Sequence, residues 1–140
     1  MANHVLHASA QSVSGYAVRC ESRGFSYLLD EAIEDGGTDT GMSPLESLMA
    51  SMGACKCITA RAAAKLRKID LSEIRIDVDG ELGRNADGKR QLLSVTSKFH
   101  IKANNTKEEI EAFVAFVEGH CPAHNTLFYG AQMKTEITIE

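Results

Sequence analysis

The chain has 140 residues, 44% of them hydrophobic, which is enough to bury the core of a single domain spanning residues 1–140. Its 15 Lys and Arg against 19 Asp and Glu give a formal charge of −4 with no basic run, which argues against a nucleic-acid partner. The first 12 residues lack a cationic segment followed by an apolar core, and no window approaches the roughly 18 apolar residues of a membrane span. We therefore expect a cytoplasmic protein with no membrane association.

The N-terminal third contains three short runs in which apolar and polar side chains partly alternate. The stretches "SVSG" and "SRG" separate these runs, which predicts a meander of three antiparallel strands. The predicted strands cover residues 5–10, 16–21 and 25–30. The acidic, glycine-rich segment at residues 30–42 is typical of a mobile surface loop.

The remainder of the chain alternates between helical and strand-like patterns. The predicted elements are a long helix over residues 44 to about 68, strands over residues 73–82 and 90–103, a helix over residues 106–120, a short helix from Pro122 and a last strand over residues 132–140. Asp87-Gly88 marks the turn of a hairpin, and Thr106 with Glu109 forms a capping box. Strands in two groups around one long helix predict an α+β fold with antiparallel sheets.

The long helix has a clear start and carries a thiol near its middle. Ser43 is a good N-cap residue, Pro44 suits the first helical position, and Glu46 completes a capping box. At about 100° per residue, several apolar side chains fall within roughly 60° of Cys55. They are Leu48, Met52, Ile58, Ala62 and Leu66. Cys55 is therefore predicted to lie on the main apolar stripe, whereas Cys57 points roughly 200° away.

The same helix has small residues on several sides. They are Gly53, Ala54, Ala60, Ala62, Ala63 and Ala64. Small side chains let another element, or another subunit, pack closely against a helix. We expect this helix to be buried at the centre of the protein.

The second notable thiol is in the segment "HCPAHNTL", residues 120–127. Pro122 biases Cys121 away from helical backbone angles and suits the first position of a helix, so Cys121 is predicted to be an N-cap. The unpaired N–H groups at a helix start favour a thiolate. Cys121 is therefore predicted to be reactive or a good leaving group, whereas Cys55, three turns into its helix, needs a nearby cation to ionise.

These two segments together resemble the OsmC/Ohr superfamily of thiol-dependent hydroperoxide reductases. The resemblance is carried by "SPLESLMASMGAC", residues 43–55, and by "CPAHNTL", residues 121–127, and it extends to most of the predicted element order. It implies an intertwined homodimer in which the central helices pack together. It also implies that Cys55 is the peroxidatic cysteine and Cys121 the resolving one, with a hydroperoxide as substrate, an external dithiol as reductant and no metal or organic cofactor.

One position departs from the organic hydroperoxide resistance branch of that superfamily. There a glutamate directly follows the proline and holds an arginine against the peroxidatic thiolate, whereas this sequence has Leu45 and then Glu46. Glu46 falls on the opposite side of the helix from Cys55, so a capping role is favoured over support of an arginine. Arg19 and Arg23 are both candidates for the activating cation. The sequence looks closer to the less-characterised OsmC-like branch.

Two other functions are compatible with the sequence. The segments "CKC" and "HCPAH" offer Cys55, Cys57, Cys121 and His124 as zinc ligands, although cysteines two residues apart on a helix diverge by roughly 200°. Alternatively, the chain is a non-catalytic ligand-binding or redox-regulatory protein on the same fold. Metal content would test the first alternative, and the effect of Cys55→Ser on function would test the second.

Overall fold

A computed structural model describes residues 2–140 and shows an α+β fold with antiparallel sheets, as the sequence predicts. The elements are β1 (Ser9–Ser14), β2 (Ala17–Ser22), β3 (Phe25–Leu29), a 3₁₀ turn (Ile33–Asp35), α1 (Pro44–Leu66), β4 (Leu71–Arg84), β5 (Arg90–Ala103), α2 (Lys107–His120) and α3 (Pro122–Tyr129). No helix within residues 2–140 is both long and apolar enough to cross a bilayer. The chain forms two compact units, the first ending at Leu48 and the second covering Met49–Glu140. A single domain over residues 1–140 stays a prediction.

In the first unit, β1, β2 and β3 form the predicted antiparallel meander. Its two hairpins turn through left-handed backbone, at Gly15 with φ 55° and at Arg23 and Gly24 with φ 52° and 85°. Such angles are those of the tight turns whose twist matches a hairpin. The short "RG" turn is compatible with this geometry because Gly24 adopts a positive φ without steric cost.

The predicted position of the first strand is wrong. β1 covers Ser9–Ser14 rather than residues 5–10, and Val5 and Leu6 are 93% and 86% exposed. The hairpin turn lies at Gly15, so the serines that the pattern assigned to a turn pair with β2 instead, with an irregularity between Ser12 and Ser14. Pairing to β2 therefore overrides the local apolar pattern.

Residues 30–42 form a loop, as predicted, and Asp30 organises it. The Asp30 carboxylate is buried and accepts hydrogen bonds from Oγ1 of Thr38 at 2.6 Å, from Oγ1 of Thr40 at 2.7 Å and from the N–H of Glu31 at 2.7 Å. These bonds, first the one from Thr38, hold the pKa of Asp30 well below its usual range. The acidic composition of the segment did not predict this hydrogen-bonded centre.

In the second unit, β4 and β5 form one long antiparallel hairpin. The Oδ1 atom of Asn85 accepts from the N–H groups of Asp87 and Lys89 at 2.9 and 3.0 Å, and Gly88 has φ 75°. This is the predicted Asp-Gly turn. The second strand of the hairpin has the predicted bounds, whereas β4 is longer than predicted because its pairing continues from Leu71 to Arg84.

Side chains from α1 and α2 form the buried core of the second unit. Its fully buried members are Ala60, Ala63, Ala64, Phe113 and Val117. Partly buried apolar side chains pack against them, namely Ile69, Leu71, Ile74, Phe99, Ile101 and Phe116. Because the α1 members are all alanine, most of the volume of the core is supplied by side chains of α2, of the β4–β5 hairpin and of Ile69, which precedes β4.

Both predicted helix starts are confirmed. The Ser43 N–H donates to Oε1 of Glu46 at 2.9 Å, and the Glu46 N–H donates to Oγ of Ser43 at 3.2 Å, which makes a reciprocal capping box. These bonds lower the pKa of Glu46, and the one to the Ser43 N–H has the larger effect. For α2, Oγ1 of Thr106 accepts from the Glu109 N–H at 3.2 Å.

The predicted apolar stripe of α1 is not the face that the single chain buries. Ile58 and Leu66 are 71% and 82% exposed, and Leu48 and Ala62 are exposed as well. The buried residues are Met49, Met52, Gly53, Lys56, Ala60, Ala63 and Ala64. Small residues face inward because α1 packs very close to the hairpin: a Cβ at Gly53 would lie 3.3 Å from Cγ2 of Val78. Of the predicted stripe, only Met52 is fully buried.

The predicted last strand is also wrong for this single chain. Residues 131–140 have no assigned secondary structure, and Met133, Ile137 and Ile139 are 92%, 83% and 93% exposed. The apolar and polar residues do alternate here, but a strand forms only when an edge is available for pairing. This segment pairs with neither sheet of the chain.

Candidate functional site

The structure brings Cys55 and Cys121 together within the second unit. Cys55 lies on α1 and is partly buried, while Cys121 is fully buried at the junction where α2 ends and α3 begins. The Cys55 thiol lies close enough to Cys121 to help raise the pKa of the Cys121 thiol. The two thiols are therefore neighbours, although 65 positions apart in the sequence.

Cys121 is the N-cap of α3, as predicted, with φ −83° and ψ 114° and with Pro122 in the first turn. The N–H groups at this helix start lower the pKa of the Cys121 thiol, as predicted, but they do not decide its protonation. Burial raises the pKa of the Cys121 thiol, and the Cys55 sulfur raises it further, against the lowering effect of the His124 and Ala123 N–H groups. Cys121 is therefore a neutral thiol at ordinary pH.

A polar cluster around the buried Lys56 lies next to Cys55 in the chain, and it was missed at the sequence level. Lys56, next to Cys55 in the chain, is only 2% exposed, and its Nζ donates to Oγ of Ser97 at 2.7 Å. It also pairs with Oε2 of Glu118 at 2.5 Å. The same Glu118 oxygen lies 2.9 Å from Nδ1 of His124, in the first turn of α3. The cluster thus links α1, β5, α2 and α3.

The signal that could have located Lys56 is its register on the helix. Lys56 follows Met49, Met52 and Gly53 and precedes Ala60 and Ala63 at helical spacing, on what proved to be the buried face. A lysine on that face requires an acidic partner, because an unpaired buried charge is costly.

The other two cysteines take no part in the thiol pair. Cys57 lies on a different side of α1, where burial raises its pKa while Arg61 and the N–H of Ile76 lower it. Cys20 is in β2, paired with Ala10 and Tyr27. Among residues 2–140, no three His, Cys, Asp or Glu side chains are arranged to hold a common metal ion. The tetrahedral set of Cys55, Cys57, Cys121 and His124 is thus not formed.

The two candidate arginines lie in the first unit, each with a partner there. Arg19 on β2 pairs with Glu21 at 3.0 Å and is about half exposed, and Arg23 in the following turn has its guanidinium 5.3 Å from the ring centroid of Phe25. The Glu46 side chain is hydrogen-bonded to Ser43 in the capping box. Activation of Cys55 by Arg19 or Arg23, and support by Glu46, stay predictions.

Comparison with known proteins assigns the family. The model for OsmC-like protein matches residues 37–137. Proteins named hydroperoxide reductase from Mycoplasma genitalium and Mycoplasma pneumoniae are 35% and 32% identical over 100 and 103 residues, covering 71% and 73% of each chain. The crystal structure of an OsmC-like protein from Mycoplasma pneumoniae superimposes with a TM-score of 0.83 at 28% identity, covering 91% of this chain and 89% of that one. This chain belongs to the OsmC-like protein family.

Proposed function

We propose that this protein is a thiol-dependent hydroperoxide reductase in which Cys55 reacts with the peroxide and Cys121 resolves the product. The observation that carries the proposal is the pairing of a partly exposed thiol, Cys55, with a fully buried neighbour, Cys121. Of these two thiols, the partly exposed Cys55 is the one that a dissolved peroxide can reach, which supports its role as the peroxidatic cysteine and that of its buried neighbour Cys121 as the resolving one.

The proposed reaction has two steps within the protein. The Cys55 thiolate attacks the outer oxygen of the hydroperoxide, an S–O bond forms, the O–O bond breaks, and the alkoxide leaves as an alcohol after taking a proton. The Cys121 sulfur then attacks the Cys55 sulfenic acid, an S–S bond forms, and water leaves with the Cys121 proton. An external dithiol reduces this disulfide and is itself oxidised. The steps require no metal or organic cofactor.

The raised pKa of Cys121 suits the resolving role. A thiol that keeps its proton does not compete with Cys55 for peroxide, because the thiolate is the nucleophile. After Cys55 has become a sulfenic acid, the Cys55 contribution to this raised pKa is removed, which makes Cys121 easier to ionise. The order of the two reactions therefore follows from the environment of the thiols.

Family membership supports the rest of the proposal. The two curated relatives are named hydroperoxide reductase, which supports a hydroperoxide substrate. We propose a cytoplasmic, homodimeric antioxidant enzyme of the stress response, with either Arg19 or Arg23 stabilising the Cys55 thiolate. We also propose that organic hydroperoxides are preferred to hydrogen peroxide, since an alkyl tail gains about 0.8 kcal/mol per buried CH₂.

The test is peptide mass spectrometry of the reduced protein after one equivalent of tert-butyl hydroperoxide. We expect rapid formation of a Cys55–Cys121 disulfide in the parent protein and a sulfenic acid trapped on Cys55 in Cys121→Ser. Cys57→Ser is the matched control and should behave as the parent. In Arg19→Met and Arg23→Met, slower oxidation of Cys55 would identify the activating cation.

Three outcomes would count against the proposal. If all thiols stay reduced, or if Cys57 is oxidised in place of Cys55, the catalytic assignment is wrong and a non-catalytic or redox-regulatory protein on the same fold is favoured. Equal rates with hydrogen peroxide and tert-butyl hydroperoxide would contradict the substrate preference alone.

A further inference from the structure

We propose that buried Lys56, together with partly buried Glu118 and His124, forms a positioning device that holds Cys121 against Cys55. The inference rests on the proposed function for its biological meaning, but the geometry that carries it is independent of the peroxidase reaction. We call these three residues the Lys–Glu–His cluster.

The first step is the buried charge at Lys56. Its side chain is 3% exposed and yet carries an ammonium group, which must be paired to be tolerated. Glu118 on α2 supplies the opposite charge, the Ser97 hydroxyl on β5 accepts a further hydrogen bond, and the Phe99 ring centroid lies 5.9 Å from Nζ. The residue that follows Cys55 is therefore fixed to α2 and to the hairpin.

The second step is the shared oxygen of Glu118. Its Oε2 atom accepts a hydrogen bond from Nζ of Lys56 and lies 2.9 Å from Nδ1 of His124. Glu118 and His124 are 29% and 31% exposed, so their contact is partly shielded from water. One carboxylate oxygen thus joins the helix of Cys55 to the first turn of α3.

The third step connects His124 to the resolving thiol. Cys121 is the N-cap of α3, and its carbonyl oxygen accepts from the N–H of Asn125 at 3.0 Å, in the turn that also contains His124. Holding the His124 side chain therefore holds the turn that carries Cys121. Lys56 lies one residue along α1 from Cys55, and His124 lies three residues along the chain from Cys121. Loosening the cluster should separate the sulfurs without changing either one.

The consequence is a specific effect on disulfide closure. Attack of one sulfur on another requires both to be held at close approach, and small misplacements cost large factors in rate. Oxidation of Cys55 by peroxide requires no such alignment with Cys121. Damage to the cluster should therefore slow the resolving step and leave the peroxidatic step near the parent rate.

The experiment measures both steps in Glu118→Gln and His124→Leu under single turnover. Sulfenic acid formation is followed with a dimedone trap after tert-butyl hydroperoxide, and closure is followed by quenched-flow alkylation and mass spectrometry. We expect closure to slow by roughly tenfold or more, with sulfenic acid formation unchanged. Glu111→Gln on the exposed face of α2 is the matched control and should close at the parent rate.

Two further variants separate positioning from general destabilisation. His124→Asn keeps a side-chain N–H near the position of Nδ1 and should restore most of the closure rate. Lys56→Met with Glu118→Leu replaces the buried pair by apolar side chains, which commonly preserves stability, but leaves His124 without its carboxylate. We expect this double variant to fold as the parent does and to close as slowly as Glu118→Gln.

A second oxidant makes the test independent of peroxidase activity. Diamide converts two thiols to a disulfide and is reduced to the hydrazine, so it reports the approach of Cys55 and Cys121 alone. Parent-like closure of the folded Glu118→Gln, His124→Leu and double variants with diamide overturns the inference. If diamide closure is slow in them but peroxide oxidises no thiol of the parent, the inference stands and the proposed function fails.

Discussion

The proton of the Cys121 thiol is subject to opposing influences. The N–H groups of Ala123 and His124 at the start of α3 stabilise a thiolate, while burial and the neighbouring Cys55 sulfur favour the neutral thiol. Burial has the largest effect, so the pKa is raised. Cys55 is partly exposed and lies at the middle of a helix, where the dipole has little effect. Two chemically identical side chains therefore have different surroundings.

The raised pKa of Cys121 predicts an alkaline loss of stability. A folded-state pKa above the ordinary 9.0 means that the folded protein binds this proton more tightly than the unfolded chain does. The contribution is complete below about pH 9 and decreases as the pH rises through the folded-state pKa. Urea unfolding under reducing conditions should therefore show a steeper decline in the free energy of unfolding above pH 9 for the parent than for Cys121→Ser.

The same measurement has an internal control. Cys20→Ser, in β2, should leave the alkaline slope unchanged, whereas Cys57→Ser should reduce it, because burial also raises the pKa of Cys57. Equal slopes for the parent and Cys121→Ser would show that the thiol is not held in its neutral form.

Sequence reasoning located the two thiols but not what surrounds them. Cys121 was placed correctly at a helix start, because Pro122 is a local signal. Its protonation was predicted wrongly, because burial depends on side chains far away in the chain. Lys56 was missed for the same reason: its partner, Glu118, is 62 positions away, and no local pattern reports an ion pair over that distance.

At the scale of elements, local signals fixed the boundaries of the helices, and tertiary packing fixed their orientation. The capping box at Ser43 and Glu46 marks the start of α1 correctly. The face that α1 buries is set instead by how closely the hairpin approaches, and close approach selects Gly53 and alanines over Ile58 and Leu66. Similarly, pairing with β2 decides the position of β1, which covers Ser9–Ser14 and not the apolar run that begins at Val5.

Gly53 tests this account of α1 packing. In Gly53→Leu the new Cβ would lie 3.3 Å from Cγ2 of Val78 and 3.4 Å from the carbonyl oxygen of Ile76, so the rest of the side chain has no space. Overpacking of this kind typically costs 1–3 kcal/mol, about 1 kcal/mol of which is offset by the better helix propensity of leucine. We expect the urea midpoint to fall clearly.

The control introduces the same side chain on the exposed face of the same helix. Lys65→Leu adds leucine where α1 is exposed. Its free energy of unfolding should lie within about 0.5 kcal/mol of that of the parent. If Gly53→Leu proved as stable as Lys65→Leu, α1 could not be packed closely on the hairpin.

At the scale of the whole molecule, the single chain leaves apolar surface unpaired. An exposed stripe at four-residue spacing follows α1 through Ala54, Ile58, Ala62 and Leu66. The segment at residues 131–140 alternates like a strand but has no edge to pair with. A helix with one small-residue face buried and one apolar face exposed is suited to packing against a second copy of itself.

The homodimer that we propose is therefore expected to depend on Ile58, which is 71% exposed in the single chain. Ile58→Asp places a charge in the middle of the stripe, and burying that charge against an apolar partner would be costly. Size-exclusion chromatography with light scattering should give a dimer for the parent and a monomer for Ile58→Asp. Ala86→Asp, in the exposed turn between β4 and β5, adds the same charge and should remain dimeric. A parent protein that elutes as a monomer at every concentration would contradict the proposal, because the exposed stripe would then need no covering.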